Sequence, residues 1–249
     1  MLKKLLPTSL LFTIFSYGFI TIEPLVPGEK EDLSGEVAIG GKYSSGNTNS
    51  ASIGLGVKTE YSKKDWLLYF ISEYSYEESD SKRDKNNGRI HARYLQNIDN
   101  TPYNYELFFQ TEFDEFRDIK QRSLTGANIR RKLNLPFDKF YTGLGLFYSY
   151  MEPNTINTLD PIYKRIYMNS YISFLKNVNK NFFITYLGFF QPNVKDFSDF
   201  RTSQTLQFNT SITTKFRLGL DISYNYTTKP YSQIKKSDIE SIINLKYSF

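Results

Sequence analysis

Apolar and polar residues alternate with a period of two along most of the chain. In the clearest stretch, 216–226, every even position is aromatic or aliphatic, and the odd positions are Arg, Gly, Asp, Ser and Asn. Successive side chains of a β-strand point to opposite faces of a sheet, so this period predicts strands with one apolar and one polar face. No sustained period of 3.6 residues follows the first 24 residues. The predicted fold class is therefore all-β.

The length of these runs separates a membrane barrel from a soluble sandwich. Most exceed the 5 to 6 residues or so that are usual in globular proteins, and they approach the roughly 9 to 11 that cross a bilayer when tilted. Twelve runs are predicted: 33–44, 50–62, 66–78, 88–98, 103–115, 120–132, 140–151, 164–176, 181–191, 202–213, 215–227 and 238–249.

The connections between the runs also alternate in character. Short turns such as 63–65 are followed by longer, charged or proline-containing loops such as 152–163. This topology predicts a transmembrane antiparallel up-and-down β-barrel of twelve strands. Ten strands is the alternative, because the runs 88–98 and 120–132 alternate poorly.

The first 24 residues have the pattern of a secretory signal. A positive segment ending in Lys3 and Lys4 precedes an uncharged apolar run over 5–20, and the run is short for a membrane helix, which needs about 20 residues. We expect a signal peptide at 1–24, a short periplasmic segment at 25–32 and the barrel at 33–249. No small-residue cleavage site stands out between Phe12 and Glu31, so an uncleaved anchor is the alternative.

The last five residues alternate and are aromatic at the end. Leu245, Tyr247 and Phe249 share one face, which resembles the last strand of Gram-negative outer-membrane barrels. The resemblance implies that Tyr247 and Phe249 act as an assembly signal read by the outer-membrane barrel assembly machinery. It also implies a location in the outer membrane of a Gram-negative bacterium, in contact with membrane lipid and lipopolysaccharide.

Composition fits this class. Aromatic residues make up 17% of the chain, hydrophobic residues 40%, and the mean hydropathy is −0.45. These values are too polar for a helical membrane protein, but they suit a barrel with a polar interior. The net charge of +5 is scattered along the chain, which argues against nucleic-acid binding. The chain has no cysteine, so neither disulfides nor a lipoprotein anchor is expected.

The start of the predicted barrel adds a family resemblance. The segment 35–41, GEVAIGG, leads into 45–49, SGNTN, and then into a second alternating strand. This arrangement resembles the YdiY-like salt-induced outer-membrane proteins, a family named for a domain of unknown function. The similarity extends through Trp66, the acidic stretch 112–118 and Arg122. It implies an outer-membrane β-barrel with no settled biochemical activity.

Candidate catalytic and metal-binding residues are few. His91 is the only histidine, so a two-histidine metal site is excluded and a catalytic triad would depend on this residue alone. It shares a strand face with Arg89 and Arg93. The acidic stretch 112–118 lacks the glycine-centred spacing of a calcium loop, and we interpret it as a solvated rim. No enzymatic activity, cofactor or metal is predicted.

The functional hypothesis therefore concerns the lumen. Charged side chains on the lipid face would cost about 2 to 4 kcal/mol for Lys or Arg at the midplane, so we expect them inside. The predicted lumen-lining residues are Lys42, Lys58, Glu60, Arg89, His91, Arg93, Glu106, Glu112, Arg122, Arg130, Arg217, Asp221 and Lys246.

These charges have two interpretations. Segregated walls would form a small porin-like channel for ions or small polar solutes, in which the row Arg89, His91 and Arg93 gives a weak anion preference. Opposite charges paired across the lumen would instead produce a structural or stress-associated barrel that is plugged and transports nothing. An outer-membrane lipid-modifying enzyme is the third alternative. The oligomeric state is left open.

Overall fold

The structure is a computed structural model that describes residues 24–44, 50–79, 82–231 and 234–249, without the side chains of 42–44, 50–51, 79 and 82–85. The predicted signal peptide therefore lies almost wholly outside the described residues. The strands are β1 Asp32–Ser44, β2 Ser50–Ser62, β3 Trp66–Ser79, β4 Lys82–Asn97, β5 Tyr103–Asp114, β6 Ile119–Lys132, β7 Lys139–Pro153, β8 Tyr163–Asn177, β9 Phe182–Asn193, β10 Asp196–Ser211, β11 Phe216–Thr227 and β12 Ser237–Ser248.

The twelve strands form one closed antiparallel barrel. Each strand pairs with its neighbours in sequence, and β1 pairs with β12 from Glu36↔Ser248 to Gly40↔Asn244. The predicted all-β class and the count of twelve strands are confirmed, and the ten-strand alternative is wrong. The weakly alternating run in β4 forms a strand because it pairs along its length with both β3 and β5. Sheet pairing depends on such neighbours more than on intrinsic preference.

The two ends of the barrel differ. The chain enters β1 and leaves β12 at the same end as the turns 63–65, 98–102, 133–138, 178–181 and 212–215, and we call this the terminal end. The opposite end, here the loop end, carries the connections 115–118, 154–162 and 194–195 and the described residues 228–231 and 234–236. The gaps that the predicted runs leave at 79–87 and 192–201 are mostly strand where the structure describes them, because β3 with β4 and β9 with β10 stay paired beyond the alternating region.

The outer wall of the barrel is apolar. The exposed aliphatic and aromatic side chains include Val37, Ile39, Ile53, Leu55, Val57, Leu68, Phe70, Leu107, Phe109, Ile129, Leu144, Leu146, Ile166, Ile172, Leu218, Ile243 and Leu245. A soluble monomer rarely exposes a continuous apolar surface of this kind. The described residues include no helix with the length and hydropathy that a membrane span requires.

Aromatic rings mark both ends of the apolar wall. At the terminal end, ring centroids of Trp66 lie 5.6 Å from Tyr61 and 6.1 Å from Tyr94. At the loop end, the Phe200 ring lies 5.4 Å from Phe190 and 5.7 Å from Tyr226. Rings at two levels of a barrel are typical of proteins whose wall meets both membrane interfaces.

The seam between β1 and β12 is completed by Phe249. Its backbone N–H donates to the Gly35 carbonyl at 3.0 Å, and the Gly35 N–H donates to the Phe249 carbonyl at 3.0 Å. The Phe249 ring covers Gly35 so closely that a Cβ there would lie 2.3 Å from the ring and 2.8 Å from the Lys58 carbonyl oxygen. Only glycine leaves this space.

Replacing Gly35 with valine is therefore expected to lower the fraction of chains that close into a barrel several-fold. The added side chain displaces the Phe249 ring and strains the seam, at about 1 to 3 kcal/mol for overpacking. Folded and unfolded fractions after transfer into lipid vesicles are measured by heat-dependent migration in gel electrophoresis. Gly41→Val is the matched control, since the nearest atom to a Cβ there is 3.3 Å away. Equal folding of the two variants would contradict the prediction.

Candidate functional site

The inner wall of the barrel is polar. Alternate residues of the strands turn inward and are buried, among them Glu36, Lys58, Glu60, Glu73, His91, Asn104, Glu106, Glu112, Asn128, Arg130, Asn169, Thr185, Arg201, Gln207, Asn209, Asp221, Asn244 and Lys246. Buried polar groups are costly unless they are hydrogen-bonded. Their contacts therefore decide whether the lumen is a set of separate charges or a connected network.

One network surrounds Glu106 on β5. Its carboxylate accepts hydrogen bonds from the Tyr171 hydroxyl at 2.7 Å and from the Asn128 side chain at 3.0 Å. Two guanidinium groups approach the same carboxylate, Arg130 at 3.8 Å and Arg93 at 3.9 Å. Because Tyr171 belongs to β8, Asn128 and Arg130 to β6 and Arg93 to β4, the carboxylate of Glu106 on β5 connects four strands.

A second network joins β10, β11 and β12. The Lys246 ammonium lies 3.5 Å from an oxygen of Asp221 and donates to Asn209 at 3.0 Å. The other Asp221 oxygen accepts from Asn244 at 2.8 Å and from Gln207 at 3.0 Å. The predicted residues Asp221 and Lys246 therefore come together, and three uncharged amide residues that the sequence prediction missed complete the network.

Two further charged pairs lie on opposite sides of the lumen. Arg217 on β11 hydrogen-bonds to Glu36 across the seam and donates to the Ser248 hydroxyl at 2.7 Å. On the other side, Arg122 on β6 lies 2.5 Å from Glu112 on β5. Arg122 and Glu112 join the neighbouring strands β6 and β5, whereas Arg217 and Glu36 join β11 to β1 past the intervening β12.

His91 lies in the middle of the row predicted on β4. Its Nδ1 is 3.1 Å from the Gln110 side-chain oxygen, and the Gln110 amide nitrogen donates to Glu112 at 2.6 Å. The adjacent Arg89 hydrogen-bonds to Glu73 on β3. The side chains of Arg89 and Arg93 are each about one fifth exposed, at 23% and 20%.

The remaining predicted lumen residues lie on β1 and β2. Lys58 and Glu60 are buried and face inward, and the Lys58 ammonium lies 5.8 Å from the centre of the Tyr69 ring. The backbone of Lys42 pairs with Ser52, but its side chain lies outside the described residues.

A cavity of about 210 Å³ lies between the two ends of the barrel. It is bounded by Pro24 and Leu25 toward the terminal end and by Asn225, Tyr226 and Thr227 toward the loop end. Six arginines of the described part of the chain line it: Arg89, Arg93, Arg117, Arg122, Arg130 and Arg201. His91 also lines it, whereas Glu73 and Glu112 are the only described lining residues that carry carboxylates. The cavity wall is therefore basic.

Arg201 is a lining residue that the sequence prediction missed. Its guanidinium lies 3.4 Å from the Tyr167 hydroxyl and 4.8 Å from the centre of the Tyr167 ring. The predicted strand began at residue 202, which placed Arg201 in a loop, whereas β10 begins at Asp196. Inward and outward residues alternate along β10, and continuing this alternation back from residue 209 to residue 201 places Arg201 in the lumen.

A short segment, Pro24–Glu31, bounds the cavity at the terminal end through Pro24 and Leu25, and we call it the plug segment. Leu25 is buried against Leu67, Tyr69 and Leu95 of the inner wall. The Arg130 guanidinium donates to the Leu25 carbonyl at 2.6 Å. The sequence predicted only that 25–32 is periplasmic, and the structure places the beginning of this segment inside the barrel.

A tight turn fixes the plug segment to the rim. The Gly28 N–H donates to the Ser62 hydroxyl at 2.9 Å, and its φ is +78°. A Cβ at this position would lie 2.7 Å from the Lys64 carbonyl oxygen. Because both the dihedral angle and the space favour glycine, the close approach of the segment to the rim depends on this residue. Lys139 adds a hydrogen bond to Glu29.

The loop end is partly covered by the connection between β11 and β12. The Tyr231 hydroxyl donates to the Met151 carbonyl at 3.1 Å, and its ring stacks on Tyr163 at 5.5 Å. Tyr231 packs against Ile119 in the same cluster, and burial raises the pKa of the Tyr231 hydroxyl above its usual value. A packed loop therefore narrows this entrance.

The acidic stretch 112–118 is structural. Asp114 caps the short 3-10 helix Glu115–Arg117 by accepting from the N–H groups of Phe116 and Arg117, each at 3.2 Å. Arg117 in turn lies 3.6 Å from Asp238. Within the described parts of the chain, no group of three or more His, Asp or Glu residues is arranged to hold a metal ion.

The comparison with known families agrees with this architecture. Residues 37–249 match the family described as a protein of unknown function, DUF481. The chain belongs to the DUF481 family. The match covers every strand of the barrel, although it begins within β1. No curated protein matches this DUF481 chain significantly.

Solved outer-membrane barrels are similar to the DUF481 chain. The translocator domain of the autotransporter NalP from Neisseria meningitidis is 8% identical with a TM-score of 0.45, and the match covers 87% of each chain. The NanC porin is 10% identical with a TM-score of 0.49, over 86% of this chain and 97% of that one. The KdgM porin is 9% identical with a TM-score of 0.47, over 87% and 99%. Similarity at this level says nothing about activity.

Proposed function

We propose that the protein is a porin-like channel in the outer membrane of a Gram-negative bacterium, passing ions or small polar solutes with a preference for anions. The observation that carries the proposal is the basic cavity inside a barrel whose outer wall is apolar. The role is that of a channel and not an enzyme. Within the DUF481 family, the segment 35–49 supports a relationship with the YdiY-like salt-induced proteins.

The membrane location follows from the outer wall. Exposed aliphatic side chains recur on strands all round the barrel, and the aromatic rings at its two ends suit the lipid interfaces. With the terminal end on the periplasmic side, membrane lipid surrounds the wall and lipopolysaccharide contacts the loop end. We propose that Tyr247 and Phe249 in the closing region are recognised by the barrel assembly machinery.

The anion preference follows from the cavity wall. Guanidinium groups stay charged at every physiological pH, and a narrow passage lined by one sign of charge favours ions of the opposite sign. Arg89 and Arg93 lie on the same strand face on either side of His91, so an ion crossing the lumen passes both.

Planar-bilayer recordings test this proposal. The purified barrel is expected to open, with a reversal potential in a salt gradient that indicates anion preference. Arg89→Ala with Arg93→Ala is expected to abolish or invert the preference, because two positive charges are lost while the Glu73 carboxylate stays. Arg131→Ala with Lys132→Ala is the matched control, since both side chains are exposed at the terminal end. The control pair should keep the preference, and anion preference that survives Arg89→Ala with Arg93→Ala would refute the assignment.

A second candidate function is favoured by the plug segment. Leu25 fills the terminal end of the cavity and Arg130 holds its carbonyl, as expected of a structural or stress-associated barrel that transports nothing. Folded protein that shows no openings, with the plug segment intact or loosened, would support this alternative over the channel.

A further inference from the structure

The imidazole of His91 lines the basic cavity, and one of its two ring nitrogens makes no hydrogen bond to the described residues. The residue is 8% exposed, and among the described atoms its Nε2 has no hydrogen-bond partner. Nδ1 faces the Gln110 oxygen at 3.1 Å, and that amide donates through its nitrogen to Glu112. The Gln110 oxygen therefore accepts the hydrogen of Nδ1, which leaves Nε2 as a free acceptor in the neutral ring. Buried polar atoms without partners are uncommon, and a bound ligand is one explanation.

Positive charge in the same cavity exceeds the negative charge that neutralises it. Arg93 and Arg130 approach a single carboxylate, that of Glu106, at 3.9 Å and 3.8 Å. Arg201 is 7% exposed, and no carboxylate oxygen of the described residues lies within 4.0 Å of its guanidinium. The Tyr167 hydroxyl that Arg201 contacts donates to Asp199 at 3.3 Å, and the Asp199 carboxylate also pairs with Arg165 at 3.0 Å. The four guanidinium groups of Arg93, Arg130, Arg165 and Arg201 therefore share the two carboxylates of Glu106 and Asp199. Buried charges that lack partners are strongly disfavoured. A ligand that carries about two negative charges would therefore neutralise the excess positive charge of the cavity.

The excess charge is divided between the two ends of the cavity. Arg130 contacts the plug segment through the Leu25 carbonyl. Arg201 lies toward the loop end, where its guanidinium is 3.9 Å from the sulfur of Met151. The Tyr231 hydroxyl, which belongs to the connection between β11 and β12, donates to the carbonyl of the same Met151. On β4, His91 lies between these ends, one inward position before Arg93. Two anionic groups of one small molecule can therefore each meet a guanidinium while the middle of the molecule faces His91.

Free guanidinium donors complete the site. The Nε of Arg93 and the Nε of Arg122 are buried without hydrogen-bond acceptors in the described part of the chain. A guanidinium group matches the geometry of carboxylate and phosphate oxygens. Aromatic rings of Tyr69, Phe108 and Phe189 also line the cavity, and such surfaces pack against the carbon skeleton of a ligand.

We propose that this cavity is a binding site for a small organic anion that carries two or more oxyanion groups, either carboxylates or phosphates. The proposal rests on the proposed function in naming the class of solute that the channel would hold. The ligand places its oxyanion groups against Arg93 with Arg130 and against Arg201 with Arg122. A hydroxyl group of its skeleton donates to Nε2 of His91.

The single histidine of the chain provides the test. Protein labelled with ¹⁵N only in histidine gives imidazole signals from His91 alone, which are followed by NMR in detergent micelles. Citrate is the carboxylate probe and fructose 1,6-bisphosphate is the phosphate probe, with acetate at equal ionic strength for comparison. We expect saturable shifts of the Nε2 signal with at least one multivalent probe and none with acetate. The probe that saturates identifies the oxyanion.

Three variants separate binding from general charge effects. Arg93→Gln and Arg201→Gln are each expected to weaken binding at least tenfold. Arg131→Gln makes the same charge change on an exposed residue outside the cavity, and its binding should equal that of the unchanged protein. Each variant is compared only after its folded migration in gel electrophoresis matches that of the unchanged protein. If one cavity variant fails to fold, the other still provides the comparison.

The outcomes are distinct. Shifts that never saturate, shifts equal to those with acetate, or equal affinity in a folded cavity variant would overturn the proposal. Because the measurement is made at equilibrium, it does not depend on conduction. A barrel that binds but never opens would remove the channel and keep the site, whereas a conducting barrel without saturable shifts would remove the site and keep the channel.

Discussion

Lys246→Met is expected to lower the free energy of unfolding by about 3 to 5 kcal/mol, the range for breaking a buried ion pair by removing one partner. The Lys246 side chain is 0% exposed and the Asp221 side chain 1%. Without the ammonium group, the Asp221 carboxylate keeps only Asn244 and Gln207 as donors, and Asn209 loses its bond from lysine. Unfolding of the barrel in lipid vesicles by urea or guanidinium chloride measures the change.

The chain contains a matched exposed pair for comparison. The Lys63 ammonium lies 2.6 Å from Asp32, and the two side chains are 44% and 73% exposed. Lys63→Met should therefore cost less than about 1 kcal/mol. The double variant Lys246→Met with Asp221→Leu should lose less stability than the sum of its single variants, because no unpaired carboxylate remains. A similar loss for Lys246→Met and Lys63→Met would show that the buried network does not contribute as argued.

Loosening the plug segment is expected to raise the open probability of the barrel at least tenfold. Leu25→Ser removes an aliphatic side chain from its contacts with Leu67, Tyr69 and Leu95. Changes from a large buried side chain to a small one cost about 2 to 5 kcal/mol, and 1.4 kcal/mol is about a factor of ten in an equilibrium. This free energy is lost only in the closed state, in which Leu25 contacts the wall. The population of the open state therefore rises. Single-channel recording in planar bilayers measures it.

Two comparisons control this experiment. Leu135→Ser changes the same residue type in an exposed turn at the same end and should leave the open probability unchanged. Gly28→Val loosens the segment by a different route, since its Cβ would meet the Lys64 carbonyl, and it should act like Leu25→Ser. Folded protein with unchanged openings in both segment variants would show that Pro24–Glu31 does not gate the lumen.

Alternation predicted the architecture because it reports directly which face of a strand is buried. The run at 50–62 coincides with β2 and that at 66–78 with β3 to within one residue. The prediction was weaker where strands continue past the apolar wall, because the alternation breaks down there: in 196–201, Phe197 and Phe200 fall on opposite faces of the strand. Arg201 was missed for this reason, although pairing of β9 with β10 extends to it.

The contents of the lumen were predictable only in part. A charged residue at an inward position stands out in the sequence, as Asp221 and Lys246 did. The amides that complete their network do not stand out, because Asn and Gln are ordinary at polar positions. The plug segment has no periodic pattern either, and the partners of Leu25 lie on β1, β3 and β4. Such contacts between distant parts of a chain are set by tertiary packing.

The seam between β1 and β12 also bears on how fast the molecule folds. Eleven of the pairings join consecutive strands, whereas Glu36 meets Ser248 more than 200 residues later. Local hairpins form quickly, while a contact over so long a loop carries a larger entropic penalty and slows folding. Until β12 reaches β1, both strands expose unpaired edges that are prone to aggregation. A single encounter late in folding therefore sets how long the chain is exposed to that risk.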